Sequence, residues 1–365
     1  MSTVVPEGAP GGPAKAPPLR IPAAALREFA IAVFQRTGVS AQHAAVWAEP
    51  LIWANLRGVD THGVLRIPRY VELMEEGAIN PQPVMRVQSD LPASVVIEAD
   101  RAPGPVALAY AAGAAEAKAR AAGIGMALVR ATTHTGAVGY TPRQLALRGL
   151  AAIAVTASWP VMAYHGARAL GVSTNPISIA VPSGAAEPLL LDMSTAVVPL
   201  GKLIQAKKSG VPLEPGWALD KDGKATTDPM AAQIPLPLGG PKGSGLSLMI
   251  ECLTSILASN PVLSGWLEKT PEGTIHRQNA MLIVIDIARF IEPATFALEV
   301  ARMARNLKDL PKSEGTEEIL MPGERGERML AKRLREGIPV PAPILQELET
   351  LAARLGIDHS HWQGR

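Results

Sequence analysis

The spacing of apolar residues changes twice along this chain, and this change limits the folds open to it. Residues 21–83 carry apolar residues at helical spacing, with helices predicted over IPAAALREFAIAVFQRTG and, after an N-cap at Ser40, over AQHAAVWAEPLIWANLRG. From about Val84 short strand-like runs dominate, and helices interrupt them at irregular intervals. From Pro293 the charged helical pattern returns, with one strand-like run, EEILMPGE.

Irregularly placed helices favour a mixed or antiparallel sheet over a regular alternation of parallel strands and helices. We therefore predict an α/β protein with a largely antiparallel sheet domain over residues 84–299. Residues 21–83 and 300–365 are predicted to form a flanking helical unit built from both chain ends. Residues 1–20, rich in Pro, Gly and Ala, are predicted to be a disordered tail.

Composition excludes several classes of function. The 35 Lys and Arg residues nearly balance the 33 Asp and Glu residues, without a block of like charge, so nucleic acid is not expected as a partner. Cys252 is the only cysteine, which excludes disulfide frameworks and cysteine-based metal sites. No run approaches the roughly 20 apolar residues of a membrane span, and the N-terminus lacks the order of a signal peptide. We expect a soluble cytoplasmic protein without a metal site.

The segment RGVDTHGVLRIPRYVELMEEGAINP, residues 57–81, contains the first candidate catalytic group. Read as a helix, it places His62, Arg66 and Tyr70 at positions i, i+4 and i+8, near one face. A proton donor, a guanidinium and a phenol presented together suit an anionic substrate that gains or loses a proton. The alternative is a surface helix whose polar face holds these residues.

Two local signals predict how this helix begins. Asp60 or Thr61 is expected to be its N-cap. Pro68 lies inside the pattern and predicts a kink or an irregular first turn.

His134 is the second candidate, in ATTHTGAVGYTPRQLA after the predicted strand IGMALVRA. Loops that follow strands in α/β proteins commonly expose functional groups, whereas the alternative is a histidine that caps the next helix. Ser158 follows the predicted strand AAIAVTA, and Thr174 opens a turn before the next strand. Their hydroxyls can bind a cofactor or close turns.

Two segments offer sites for a phosphate group. PLLLDMST ends a predicted strand at Asp192 and places Ser194 and Thr195 at a predicted helix start, where unpaired backbone amides attract anions. GGPKGSGL places Lys242 among glycines, including Gly243, at another helix start. The chain contains no GxGxxG, so a Rossmann fingerprint is absent.

In this order, the segments resemble the malate/L-lactate dehydrogenase family, which includes ureidoglycolate dehydrogenase, 2,3-diketo-L-gulonate reductase, sulfolactate dehydrogenase and cyclic-imine reductases. The matching pieces cover nearly all of residues 25–340: GVDTHGVLRIPRYVE, THTGAVGY, STNPISIAVPSG, LDMSTAVVPLGKLIQAKKSGVPLEPGWALDKDGKATTDP, PLGGPKGSGLSLMIECL and PGERGE. The resemblance implies reduction of a small 2-oxo acid with NAD or NADP, or the reverse oxidation, by a homodimer with a non-Rossmann cofactor sheet. The alternatives are a reductase of 2-imino acids or cyclic imines, and a catalytically silent dinucleotide-binding protein.

The resemblance also implies roles for individual residues. His62 is expected to donate the proton, with His134 as the alternative, and Arg66 to hold the substrate carboxylate. Asp192 is expected to contact the cofactor or to partner the catalytic histidine. We further expect Tyr70, His134 and Thr174 to contact the substrate. The expected cofactor contacts are Ser158, Asp192, Met193, Ser194, Lys242, Gly243, Gly323, Glu324 and Arg325.

Two segments depart from the usual family form. SWPVMAYHG places Trp159 and His165 beside the expected cofactor and substrate site, and residues 260–279 are also less typical. These departures leave the identity of the substrate open.

Overall fold

The computed structural model describes residues 18–184, 187–271 and 277–363. Residues 1–17, most of the predicted disordered tail, lie outside the described residues. The predicted end of the tail at residue 20 is wrong, because Leu19–Ile21 forms a strand that pairs with Ile338–Val340.

The described residues form the following helices and strands. The helices are α1 (Ala23–Arg36), α2 (Ala41–Leu56), α3 (Ile67–Glu75), α4 (Gly104–Ala122), α5 (Tyr140–Ala146), α6 (Leu200–Ser209), α7 (Pro241–Glu251), α8 (Leu263–Leu267), α9 (Pro293–Lys308), α10 (Glu324–Glu336) and α11 (Ala342–Leu355). The strands are β1 (Leu19–Ile21), β2 (Arg86–Asp90), β3 (Ser94–Glu98), β4 (Ile124–Thr132), β5 (Leu150–Ala157), β6 (Met162–Ala163), β7 (Leu170–Val172), β8 (Ile177–Val181), β9 (Leu189–Met193), β10 (Ala218–Leu219), β11 (Ala225–Thr226), β12 (Ile234–Pro235), β13 (Gln278–Asp286) and β14 (Ile338–Val340).

Seven strands form the main sheet in the order β2-β3-β4-β13-β5-β8-β9. Neighbouring strands are antiparallel except β3 and β4, which are parallel and are connected through α4. The predicted α/β class with a largely antiparallel sheet is therefore confirmed. A Rossmann unit repeats the parallel crossover several times, so this sheet is not a Rossmann unit.

Strand β13 lies in the middle of the sheet because both of its faces are apolar. Leu282 and Val284 belong to the buried cluster that α4 covers, whereas Met281 packs in a separate cluster on the other face. Helix α4 approaches β4 so closely that a Cβ at Gly125 would lie 2.0 Å from the carbonyl oxygen of Ala115. Glycine at this position lets the helix pack directly on the sheet.

A separate apolar core joins the two ends of the chain. It combines buried side chains of α1, α2, α3 and α11 with the β1–β14 pair. Trp47 stacks on Phe34 with ring centroids 4.0 Å apart, and Trp362 meets Phe29 edge-on at 4.8 Å. The C-terminal segment is thus part of the core around the first helices.

Local signals predicted some element boundaries correctly and others wrongly. The N-cap at Ser40 is confirmed, since its side chain accepts a hydrogen bond from His43 N. EEILMPGE is not a strand. The helix expected to start at Ser194 or Thr195 starts only at Leu200, because the backbone before it pairs with other loops. No helix in the described ranges is long and apolar enough to cross a bilayer.

Candidate active site

The loop that carries His62 is formed by two successive 3₁₀ turns, Asp60–His62 and Val64–Arg66, before α3 begins. The helix cap predicted at Asp60 or Thr61 is therefore wrong, whereas the irregular start is confirmed. Pro68 lies in the first turn of α3, where a missing N–H breaks no helical hydrogen bond.

Asn55, at the buried end of α2, fixes this loop. Its side-chain amide donates to Asp60 Oδ1 at 2.6 Å and accepts from Val64 N at 2.8 Å. A Cβ at Gly63 would lie 2.1 Å from Asn55 Oδ1, so a larger residue does not fit there. Arg333 of α10 pairs with Asp60 at 2.6 Å. Helices from both chain ends thus hold the loop.

The structure brings His62 and His134 together, with ring centroids 5.5 Å apart and planes inclined by 18°. Thr61 Oγ1 lies 3.0 Å from His62 Nδ1, and the Tyr70 hydroxyl lies 2.7 Å from His134 Nδ1. Both rings are half-buried, so each can present Nε2 to a bound molecule. His134 does not cap α5, whose N-cap is Gly139.

Arg66 supplies the positive charge beside the two imidazoles. Its Nε donates to the Thr61 carbonyl at 2.7 Å, which fixes the guanidinium next to the ring of His62. Its charge acts on His62, His134 and Tyr70. Three of the residues expected to contact the substrate therefore share one half-buried cluster.

The surroundings keep both imidazoles neutral. Burial, and then the charge of Arg66, lower the pKa of His62 to about 4. Burial, with His62 and Arg66, lowers the pKa of His134 well below its usual value. Burial raises the pKa of Tyr70, so its hydroxyl keeps its proton and can donate it to His134 Nδ1.

A cleft of about 320 Å³ opens at the start of α7. Residues lining it include Met193, Thr195, Lys242, Gly243 and Leu246, three of which were predicted to bind the cofactor. A Cβ at Gly243 would lie 2.4 Å from the Thr195 carbonyl oxygen, so glycine is needed where the helix meets this loop. Thr195 Oγ1 is fully buried and has no hydrogen-bond partner among the described residues.

Ser158 and Thr174 lie in a hydrogen-bonded set of turns that reaches α7. Ser158 N donates to Asn175 Oδ1 at 3.2 Å, and Asn175 Nδ2 donates to the carbonyl of Ser247 in α7 at 3.0 Å. Thr195 N donates to the Thr174 carbonyl at 3.2 Å. These residues close turns, and those turns shape the wall of the cleft.

Asp192 lies at the end of β9, in a position that solvent reaches. Its carboxylate accepts a hydrogen bond from Gly139 N at 3.2 Å rather than from either imidazole. Loss of hydration against the surrounding protein raises its pKa to about 6, while the hydrogen bond from Gly139 N and the charge of Arg57 oppose this increase. The Arg57 guanidinium also donates to the Gly323 carbonyl at 3.0 Å, which connects Asp192 to the Gly323–Arg325 turn.

The predicted cofactor residues of that turn begin helix α10. Gly323 has a φ of +97° and is its N-cap. Glu324 accepts a hydrogen bond from Met321 N at 3.1 Å and pairs with Lys308, so its carboxylate supports the turn itself. Arg325 is the next residue of the helix.

Comparison with known proteins assigns the chain to a family. Residues 21–349 match the family model described as malate/L-lactate dehydrogenase. A malate dehydrogenase from Pyrococcus horikoshii is 35% identical over 350 residues, which cover 93% of this chain and 96% of that protein. The chain belongs to the malate/L-lactate dehydrogenase family. As a member, it is an NAD(P)-dependent oxidoreductase that acts on a CH–OH or CH–NH group.

Two further likenesses show the breadth of this family. The solved structure of malate dehydrogenase from Pyrococcus horikoshii OT3 matches with a TM-score of 0.85 at 33% identity, covering 95% of this chain and 99% of that one. A Δ1-pyrroline-2-carboxylate/Δ1-piperideine-2-carboxylate reductase from Pseudomonas putida is 32% identical over 338 residues, covering 91% and 97%. Oxo-acid and imino-acid enzymes thus share this fold.

This member of the malate/L-lactate dehydrogenase family has a second, small cavity of about 30 Å³ beside His134. Trp159 and Arg277 line it together with His134. They come from the two segments that are expected to depart from the usual family form, so these segments meet on one side of the imidazole. His165 lies elsewhere, beside Gly240, where an added Cβ would be 3.2 Å from its ring.

The sequence analysis missed Asn55, Arg57 and Arg333 as supports of the family's site residues. Arg57 and Arg333 reach partners 266 and 278 residues away along the chain. Asn55 lies in a predicted helix, where a single amide carries no local signal. Only the fold shows which loops of the site these side chains contact.

We expect a decrease in pH to destabilise the native chain more than it destabilises a His62→Gln variant. The pKa of His62 is about 4 in the folded chain and about 6.5 when exposed, so between these values the unfolded chain binds a proton that the folded chain does not. The free energy of unfolding therefore decreases as the pH falls from about 6.5 and levels off below about 4. Urea unfolding at about pH 7 and about pH 4.5 measures this change. The free energy of unfolding of the native chain should decrease by on the order of 2 kcal/mol more than that of His62→Gln.

Asp192→Asn is the control, because this substitution should change the loss of stability in acid in the opposite direction. The raised pKa of Asp192, about 6 against 3.8, means that the folded chain gains a proton before the unfolded chain does. Removing this carboxyl should make the loss of stability in acid steeper. An identical pH dependence for the native chain and His62→Gln would show that the imidazole is not shielded as described.

Proposed function

We propose that this chain transfers a hydride between NAD(P)H and C2 of a small 2-oxo acid, forming the 2-hydroxy acid, and catalyses the reverse oxidation. The cluster of His62, His134 and Arg66 carries this proposal, because it places two neutral imidazoles beside one guanidinium in a half-buried site. A substrate carboxylate needs a cation that can bind it through two hydrogen bonds. The oxygen at C2 needs a proton as hydride arrives.

The cleft at the start of α7 fits the phosphate-bearing part of a dinucleotide. Lys242 is exposed at this cleft and can neutralise a phosphate group. The buried Thr195 hydroxyl would gain a partner from an oxygen of a bound molecule, which removes the cost of leaving it unpaired. When bound, the nicotinamide supplies or accepts the hydride. The protein supplies position, a proton and charge complementarity.

His62 is the proton donor in this proposal. Burial and Arg66 keep its ring neutral before substrate arrives. A carboxylate bound to Arg66 cancels the guanidinium charge, and this raises the pKa of His62 because the repulsion between two cations is removed. Substrate binding therefore prepares the imidazole to take up the proton that it later donates.

His134 holds the substrate oxygen in this proposal. In this role the Tyr70 hydroxyl, which keeps its proton and lies 2.7 Å from His134 Nδ1, donates to Nδ1, and the ring carries its own proton on Nε2. A donor at Nε2 stabilises negative charge as it develops on the oxygen at C2. The two imidazoles thus have different proposed roles: that of His62 follows from its place beside Arg66, and that of His134 from its contact with the Tyr70 hydroxyl.

A cyclic 2-imino acid is the second candidate substrate. The reductase from Pseudomonas putida, named for such imines, is 32% identical over 91% of this chain. The same cluster can bind the carboxylate and protonate a nitrogen in place of an oxygen.

We expect oxidation of NADH or NADPH with 2-oxo acids to exceed that with Δ1-piperideine-2-carboxylate by at least about tenfold in kcat/KM, a preference worth about 1.4 kcal/mol. The assay follows absorbance of the reduced coenzyme with pyruvate, longer 2-oxo acids and the imine. The reverse preference would establish the imine reductase instead. Coenzyme binding without turnover on any of these compounds would overturn both candidates.

We expect His62→Asn to lower kcat by about 10²–10⁴-fold with little effect on the dissociation constant of the coenzyme, because a positioned acid contributes on this scale. Arg66→Lys should instead raise the KM for the 2-oxo acid by at least about tenfold, since the planar two-bond contact is lost. Stopped-flow and steady-state kinetics separate the two effects. His43→Asn, a histidine at the start of α2, is the control and should retain native kcat. Near-native kcat in His62→Asn would transfer the proton donor role to His134.

We also propose that the protein is a homodimer and that α7 forms the interface. This helix and its continuation expose an apolar stripe at helical spacing: Leu246, Met249, Leu253, Ile256 and Leu257, each at least one third exposed. Stripes of this kind mark protein interfaces. Leu246 also lines the coenzyme cleft, so the interface and the cleft share one helix.

Met249→Glu should convert the dimer to a monomer of 38.3 kDa, because the carboxylate would have to be buried without a partner. Light scattering coupled to gel filtration measures the mass. The matched control is Leu298→Glu, an exposed leucine on α9, which should leave the dimer intact. Dissociation by the α9 variant alone would move the interface there, and a monomeric native chain would overturn the proposal.

A further inference from the structure

Strand β4 contains a β-bulge three residues before His134. Two of its residues, Arg130 and Ala131, lie opposite a single residue of β13, Asn279. Ala131 has a φ of +53°, a conformation that residues other than glycine rarely adopt. Bulges next to functional sites commonly redirect the side chains that follow them. The bulge therefore determines how the chain enters the loop that carries the imidazole.

The side chain of Asn279 holds the bulge. Its Oδ1 accepts hydrogen bonds from Ala131 N at 3.1 Å and from Asn260 Nδ2 at 2.7 Å. Its Nδ2 donates to Ser255 Oγ at 2.9 Å and to the Asn260 carbonyl at 2.9 Å. Asn279 is completely buried and uses both protons and both lone pairs of its amide. The orientation of this amide is therefore fixed.

A buried carboxylate fixes the other end of this network. Ser255 Oγ donates to Glu251 Oε2 at 2.8 Å, and Glu251 Oε1 accepts from Val262 N and Leu263 N at 3.0 and 2.9 Å. Ser255 lies in a π-helical turn, Cys252–Ile256, that continues α7. The helix that begins at the coenzyme cleft thus ends on the amide that holds the bulge.

The chain between the bulge and His134 has little freedom to absorb a change. The hydroxyls of Thr132 and Thr133 both donate to the Ala102 carbonyl, at 3.1 and 3.0 Å. A Cβ at Gly104 would lie 2.4 Å from the His134 carbonyl oxygen, so the backbone here passes directly over the start of α4. Movement of the bulge is passed on to the position of the imidazole.

We propose that Asn279 is a positioning residue for His134. By binding the amide of Ala131, it keeps His134 Nδ1 on the Tyr70 hydroxyl and so keeps the ring proton on Nε2. The effect on turnover and the role of the Nε2 proton rest on the proposed function, whereas the contact between His134 Nδ1 and the Tyr70 hydroxyl does not. The same network joins this imidazole to the helix that lines the coenzyme cleft.

The test compares Asn279→Ala with Asp286→Asn in the full-length protein labelled with 15N-histidine. Asp286 is a buried polar residue at the far end of the same strand, where it pairs with Arg120. We expect Asn279→Ala to move the ring 15N resonances of His134 from the Nε2–H tautomer toward a mixture, and Asp286→Asn to leave them unchanged. The spectrum of His134→Asn assigns these resonances.

Kinetics provide the second measurement. We expect Asn279→Ala to lower kcat by at least about tenfold while the dissociation constant of the preferred reduced coenzyme, NADH or NADPH, changes less than about twofold. A merely structural loss would lower the amount of folded enzyme and leave kcat per folded molecule unchanged. Asp286→Asn should show that structural pattern.

Ser255→Ala is a milder variant for the case in which Asn279→Ala does not fold. It removes one acceptor of the Asn279 amide and leaves the bond to Ala131 N in place, so we expect a smaller shift of the same His134 resonances. Unchanged resonances in every folded variant would overturn the proposal. Failure of the proposed function looks different, because the native enzyme would then turn over neither the 2-oxo acids nor the imine, while Asn279→Ala still shifted the His134 resonances.

Discussion

The pairing of β13 between β4 and β5 determines where the functional groups of this protein can lie. Because both pairs are antiparallel, the end of β4, the end of β5 and the start of β13 meet at one edge of the sheet. Ser158 directly follows β5, Arg277 directly precedes β13, and His134 lies two residues after the end of β4. The central strand, which is covered on both faces, therefore also brings residues of the candidate site together.

Electrostatics then limit what this edge can do. Burial and the charge of one guanidinium disfavour a charge on either neighbouring imidazole, so His62 and His134 are neutral. This restraint suits an enzyme that must bind a carboxylate before it donates a proton. The hydroxyls of Thr61 and Tyr70 give the two rings different partners, which separates their proposed roles in spite of their similar surroundings.

The site also depends on contacts that join distant parts of the chain. Asn55, Asp60 and Arg333 hold the loop of His62 between a helix near the N-terminus and one near the C-terminus. Helix α7 and its π turn connect the cleft beside Lys242 to Asn279, which binds the backbone three residues before His134. The two imidazoles therefore rest on two separate supports, and each support can be weakened without removing an imidazole.

The sequence by itself determined the types of most elements and selected His62, Arg66, His134 and Lys242, because periodicity, turn residues and glycine-rich helix starts are local signals. Several boundaries were wrong where distant backbone competes, as at Ser194 and Thr195, whose loop pairs with other segments instead of starting a helix. Only the tertiary structure decided which side chains meet. Tyr70 and His134 are 64 residues apart, and Arg333 and Asp60 are 273 apart. Such contacts depend on how the strands and helices pack, and no local pattern encodes that packing.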